Sequence, residues 1–321
     1  MDKTAYFKLL QILSFLQLPL SIGCIYLSVS IAVDYFHITS MQYVELFLLA
    51  LGVYLLVGIP FSLFSTFISS KIWKPLVSFK KIYFKAMLTT LIQSTFVALF
   101  LPAFFALYPF IKDLLLTFAL IMIGSVSVAF FSAGWYLKNI FFYGTKIKRR
   151  PDLEKKVLEP IGMRGKIKIL HVTQTSFDTI NAMLLLFSNE IILVNGIDKK
   201  LSQKELEAVV IHEIGHAKSK VKILLLSIPF LLLVIGGGYY LMVQKIGLEV
   251  ILAAMLAVMF IELISFSRLR LQEKWADNFA KTKVGKKVYG QALQKIHSYN
   301  HIPEKTMLLI SSHPHLKDRA K

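Results

Sequence analysis

Two histidines four residues apart, with a glutamate beside the first, stand in the stretch "AVVIHEIGHAKSK", Ala208 to Lys220. On a helix, residues at i and i+4 project from one face, so His212 and His216 are one turn, about 6 Å, apart along the axis. Two neutral imidazoles so placed can hold one zinc ion at about 2.0–2.1 Å each. Glu213 is angled toward a water on the metal rather than the metal itself, which suits a general base. A catalytic zinc takes three protein ligands and keeps one position open. The third is expected after a later apolar block, in "LQEKWADNFA", where Glu273 can ligate. Asp277, four residues on and on the same face, can accept the free N–H of a liganding histidine and hold its tautomer.

A helix must carry the pair, and the sequence marks its start. Ser202 followed three residues later by Glu205 is a capping box, so the helix begins near Gln203, with Leu206, Val209, Val210 and Ile214 as its apolar face. Upstream, "KIKILHV" (Lys166–Val172) alternates like a strand. Ala182–Gly196 reads as a hairpin around a Ser188-Asn189 turn. The tail reads as a helix from about Ser267 to Lys281 and another near Lys286–Tyr299.

The rest of the chain does not describe an ordinary soluble protein. Hydrophobic residues make up 55% and charged residues only 17%, and the apolar residues come in long blocks. Six blocks are long enough to span a bilayer: Leu9–Val33, Val44–Ser69, Ala86–Ile111, Leu114–Leu137, Ile223–Val243 and Leu248–Phe266. The first lacks a small-residue cleavage site near its end and reads as a retained anchor. Cys24, the one cysteine, lies inside that block, which leaves no disulfide framework and no cysteine metal cluster.

Lys and Arg outnumber Asp and Glu 37 to 19, for a net charge of +18. The lysines cluster in "KIWKPLVSFKKIYFK" and, with two arginines, in "KNIFFYGTKIKRRP", while the other turns hold few. By the positive-inside rule both termini and the catalytic segment face the cytoplasm, the plasma membrane being the site in a prokaryote. The basic surplus is thus topological, with added grip on anionic lipid headgroups. No nucleic-acid recognition fold accompanies it, so nucleic acid is not an expected partner.

The expected architecture is mainly α: a polytopic membrane protein with about six transmembrane helices and a small cytoplasmic α+β zinc protease domain of gluzincin type. It divides into a four-span region (1–137), a catalytic insert (138–222), a two-span hairpin (223–266) and a cytoplasmic helical region (267–321). Glu262, inside the sixth block, precedes Glu273 by eleven residues, close to three helical turns, so both point the same way. An ionisable group at that depth lines a cavity or pairs with a cation such as Lys222.

The combination "NAMLLL", "VNGIDKKLSQKELEAVVIHEIGHAKSK", two spans and then "EKWADNFA" resembles the membrane-embedded zinc peptidases that include the HtpX heat-shock protease and the CAAX prenyl protease. The resemblance covers about residues 165–321 and implies a zinc metalloendopeptidase with one zinc ion, ligands His212, His216 and Glu273, and Glu213 as base. It implies further that His313 of "HPHLKDR" stabilises the oxyanion, and it brings in Arg319 of the same motif as a substrate contact. Asn181 would hold the substrate backbone beside a strand with an open edge for β-addition. Expected substrates are membrane or unfolded proteins, in quality control. The alternatives are processing of lipidated C-termini or a catalytically silent membrane scaffold. Oligomeric state leaves no trace in the sequence.

Overall fold

The computed structural model of the chain describes residues 2–36, 43–99, 103, 116, 145–173, 175–185, 188–219, 221–222, 225, 248–303 and 315–320. Three long apolar helices come first: α1 (Lys3–Phe36), α2 (Tyr43–Ile72) and α3 (Phe79–Ala98). Among the described residues one helix, Val44–Ile72, is long and apolar enough to cross a membrane; its 29 residues reach ~44 Å, more than the ~30 Å of hydrocarbon. Glu45 in the first turn of α2 and Lys71 in its last sit at the favourable ends of its dipole. The expected first and second spans fall within α1 and α2. The third begins in α3, while its remainder and nearly all of the fourth and fifth lie outside the described residues.

A four-stranded sheet follows, with β1 (Lys146–Arg149), β2 (Lys168–Thr173), β3 (Asn181–Leu185) and β4 (Glu190–Val194) in the order β1-β2-β4-β3. The β2–β4 pair is parallel and the other two are antiparallel. The expected hairpin is β3–β4, its turn taken by Asn189 at a φ of 50°. Strand β1 was not anticipated: "KIKR" carries a single apolar residue and is exposed throughout. Lysines on a sheet edge discourage further pairing, which hides such a strand from a hydrophobic pattern. Because β4 inserts between β2 and β3, β3 is left on an open edge.

The sheet buries both faces, which explains the unbroken apolar run of β4. On one face Ile169, Ala182, Ile191 and Leu193 share a core with Leu206, Val209, Val210 and Ile214 of helix α4 (Gln203–Lys218). On the other, Leu170, Val172, Leu185, Ile192 and Val194 cluster with Met183. Helix α4 starts at the capping box: the Ser202 hydroxyl accepts from the Glu205 N–H at 3.4 Å, and the Glu205 carboxylate accepts from the Ser202 N–H at 2.7 Å. Such a cap contributes about 1 kcal/mol. Lys295, on a helix near the C-terminus, reaches the same carboxylate at 2.8 Å and ties the start of α4 to it.

The expected sixth span and the tail helix form one unbroken helix, α5 (Leu248–Val284), because no Gly or Pro interrupts the residues between them. It ends at Gly285, whose φ of 87° a side chain rarely adopts. Helix α6 (Lys286–Tyr299) and the short α7 (Leu316–Ala320) complete the described chain. The loop after α2 is stitched to the segment that enters β3. Trp73 Nε1 donates to the Asn300 carbonyl at 2.7 Å, and the Asn300 amide pairs with both the N–H and C=O of Ile180, at 2.9 and 2.7 Å. Leu76 N–H donates to Ser176 and Asp178 N–H to Lys74, at 3.0 and 2.8 Å. The apolar helices and the edge strand are therefore mechanically joined.

Candidate metal centre

Helices α4 and α5 cross at two small residues. A Cβ placed on Gly215 would lie 2.8 Å from the Ala276 Cα and 3.2 Å from its Cβ and carbonyl oxygen. This close approach brings Glu273, one turn before Ala276, to the paired imidazoles. The Nε2 atoms of His212 and His216 are 3.2 Å apart, and Glu273 oxygens lie 3.6 Å from the first and 3.3 Å from the second. Ligand atoms at 2.0–2.1 Å in a tetrahedron sit about 3.3–3.4 Å from one another, so these residues fit a zinc ion. Across all three residues the ligand atoms lie within 4.8 Å of one another. His212, Glu213 and Glu273 are buried and His216 half-buried, a mostly dry setting in which charge interacts strongly.

Behind the first histidine lies a charged network. His212 Nδ1 is 3.1 Å from Asp277 Oδ1 and 2.9 Å from the Tyr289 hydroxyl oxygen, and that hydroxyl donates to Asp277. With acceptors on that side, Nδ1 carries the proton and Nε2 keeps its lone pair toward His216 and Glu273. Arg319 donates to Asp277 through Nε at 3.0 Å and Nη2 at 2.8 Å, and its Nη2 is also 2.8 Å from Glu273 Oε2. Burial opposes protonation of His212, but the carboxylates of Asp277 and Glu273 outweigh it and raise its pKa to about 9. The acids that surround this ring are thus sufficient to hold a cation. Burial likewise pushes the Asp277 carboxyl up, yet hydrogen bonds from His212 and Arg319 leave it well below the usual carboxylate range.

Glu213 meets the sheet at its open edge. Its Oε2 accepts from the Leu184 N–H of β3 at 2.8 Å, which fixes one oxygen and leaves the other for chemistry. Burial raises its pKa, against the pull of His212 and His216. A buried carboxylate with raised proton affinity is what a general base near neutral pH needs.

The structure gathers His212, Glu213, His216, Glu273 and Asp277 into one site. Arg319, expected at the substrate, is instead only 6% exposed, with its guanidinium turned onto Asp277 and Glu273. Two buried carboxylates require a buried cation, and Arg319 supplies it. Asn181 opens β3, exposed, its Oδ1 accepting from the Ala182 N–H at 2.9 Å. His313 lies outside the described residues, and so does the side chain of Glu262, which is carried on α5. Tyr289, Gly215 with Ala276, and the Leu184 N–H were not anticipated. Gly215, between the histidines, was the one local signal, since a small residue there permits close helix packing.

The sequence model of peptidase family M48 matches residues 148–321, the segment that contains the sheet, α4 and every residue of this site. The fold is similar to the crystal structure of Ste24p from S. mikatae, with a TM-score of 0.67 and 20% identity over 93% of this chain and 79% of that one. This likeness of fold extends beyond the matched segment into the N-terminal helices. No curated protein matches the chain.

Proposed function

Because the chain belongs to peptidase family M48 and is a zinc metalloprotease, we propose that it cleaves membrane or unfolded proteins at the cytoplasmic face of a membrane, with His212, His216 and Glu273 holding the zinc. The observation that carries the site is the triangle of Nε2, Nε2 and carboxylate oxygen with sides of 3.2, 3.3 and 3.6 Å. Bound there, zinc would polarise a carbonyl and supply a nucleophilic water near neutral pH. Glu213, held by the Leu184 N–H through Oε2, takes the proton of the attacking water on its other oxygen and delivers it to the leaving amine. Asp277 and Tyr289 hold the His212 ring, and Arg319 keeps Asp277 and Glu273 charged and in place. The extended substrate lies along the open edge of β3, beside Asn181. His313 acts as oxyanion donor and Glu262 lines a polar space beneath the metal.

Apolar helices and the placement of lysines support six spans with both termini cytoplasmic, divided at 137, 222 and 266. Family membership supports processing of a lipidated C-terminus equally; strict dependence of cleavage on a prenyl group selects that reading. The deciding experiment measures zinc content and digestion of an unfolded protein by the purified full-length chain. Glu213→Gln is expected to bind zinc and cleave nothing, and His212→Ala to lose both. Undiminished cleavage by Glu213→Gln refutes the assignment.

A further inference from the structure

Between the N-terminal helices and the sheet lies a cavity of about 490 Å³. It is separate from the metal centre, since neither the triad nor Glu213 lines it. Asn181 and Met183 of β3 and Val194 of β4 form one wall, on the sheet face turned away from α4. Opposite them α2 and α3 present Ser62, Ser65, Thr66, Thr89 and Thr90, a hydroxyl face on helices otherwise rich in Leu, Phe and Ile. Lys85 of α3 also lines this space, half-buried. The charge that acts on it is that of Lys81, one turn earlier; among the described residues no carboxylate pairs with it.

A partly desolvated ammonium beside another lysine is unfavourable unless an anion joins it. Hydroxyls around it can donate to that anion, whereas an apolar occupant would leave them and the ammonium unsatisfied. The cavity also adjoins the place where a peptide would add to β3. Side chains of paired strands point the same way at facing positions and alternate along the strand. In a peptide laid on the edge of β3, side chains opposite Ala182 and Leu184 face α4. Those opposite Asn181 and Met183 face the cavity.

We propose that this cavity is a substrate subsite for a carboxylate, with Lys85 as its counter-ion. The inference rests on the peptidase reading above and names what that peptidase prefers: a substrate with a carboxylate on the membrane-helix side of the strand. Two sources carry that chemistry, an acidic side chain and a free chain terminus.

The test uses the purified full-length zinc-loaded chain in bilayer discs of neutral lipid. Sites cut in an unfolded protein are read by mass spectrometry and remade as synthetic peptides, with Glu or Gln scanned through flanking positions and with free or amidated C-termini. Wild type is expected to favour the carboxylate form at one position, or the free terminus, by on the order of tenfold or more in kcat/KM. In Lys85→Gln that ratio should fall to within about twofold of one, and Lys85→Arg, which keeps the charge, should retain it. A preference for Glu assigns the subsite to a side chain, and one for the free acid assigns it to a terminus. Cleavage that depends on Glu213 but shows no carboxylate preference, or a preference that survives Lys85→Gln, overturns the subsite alone. Loss of rate that tracks anionic lipid rather than peptide charge assigns Lys85 to headgroups and overturns it too. If wild type and Glu213→Gln are equally inert, the peptidase reading falls and the subsite with it.

Discussion

Replacing Gly215 with alanine tests whether the crossing of α4 and α5 sets the metal centre. The added Cβ would meet the Ala276 Cα at 2.8 Å, where carbon atoms in contact prefer about 3.5–4.0 Å. The obstructing atom is backbone in the middle of a 37-residue helix and cannot rotate away. The two helices must therefore part by ~1 Å, which would take the His216–Glu273 separation from 3.3 Å to ~4.3 Å. A tetrahedral ion with ligands at about 2.0–2.1 Å does not bridge that gap without strain.

The same change affects overall stability much less. Overpacking costs about 1–3 kcal/mol, but alanine in a helix recovers about 1 kcal/mol over glycine. Net destabilisation should be ~0–2 kcal/mol, so the variant folds. Zinc affinity, read by competition with a chromophoric chelator, should drop on the order of 10–100-fold. Peptidase kcat should drop about 10²-fold, the usual penalty for misplacing catalytic groups by 1 Å. A second substitution, Ala276→Gly, removes the contact at 3.2 Å but not the one at 2.8 Å, so the double variant should recover little. Wild-type zinc affinity and rate in Gly215→Ala would refute the reasoning.

Other substitutions separate the roles within the network. Tyr289→Phe removes the hydroxyl that joins His212 to Asp277, and zinc affinity measured by chelator competition should weaken about tenfold while the fold is kept. Arg319→Met leaves two buried carboxylates without their cation and should cost about 3–5 kcal/mol, seen as a lowered Tm. Arg319→Lys should recover little of it, because one ammonium cannot reproduce the paired contacts to Asp277. Away from the metal, Arg149 and the Ile169 N–H hold the Glu154 carboxyl below its ordinary value. That stabilisation is present above the unfolded value of about 4.3 and is lost as pH falls through the lower folded one, so Glu154→Gln should flatten the acid limb of Tm against pH.

Which features the sequence disclosed follows from how far apart their causes lie in the chain. The capping box needs only Ser202 and Glu205, and the histidine pair needs only helical spacing, so both can be read from a few adjacent residues. Glu273 could be named because a motif of its own surrounds it. Tyr289 has no such marker: in "KKVYGQAL" it is one more residue of an amphipathic helix, and only the packing of α6 on α4 brings it to His212, 77 positions away. Arg319 was placed at the right site with the wrong partner. A charge seen in sequence looks available, whereas here burial commits it to Asp277, 42 positions away. Strand β1 failed for the opposite reason: its lysines serve solvent, and its pairing is backbone alone.

The crossing itself was nearly visible. Gly215 directly precedes His216, and Ala276 directly precedes Asp277, so each small residue sits next to a residue of the site. That adjacency has a physical cause. Side chains that must meet from two helices within 3.3 Å need the backbones at their closest just there, and only small residues allow it. Small residues beside candidate ligands on both of two non-adjacent helices therefore point to where those helices cross, and thereby to which acid completes a metal site begun by two histidines.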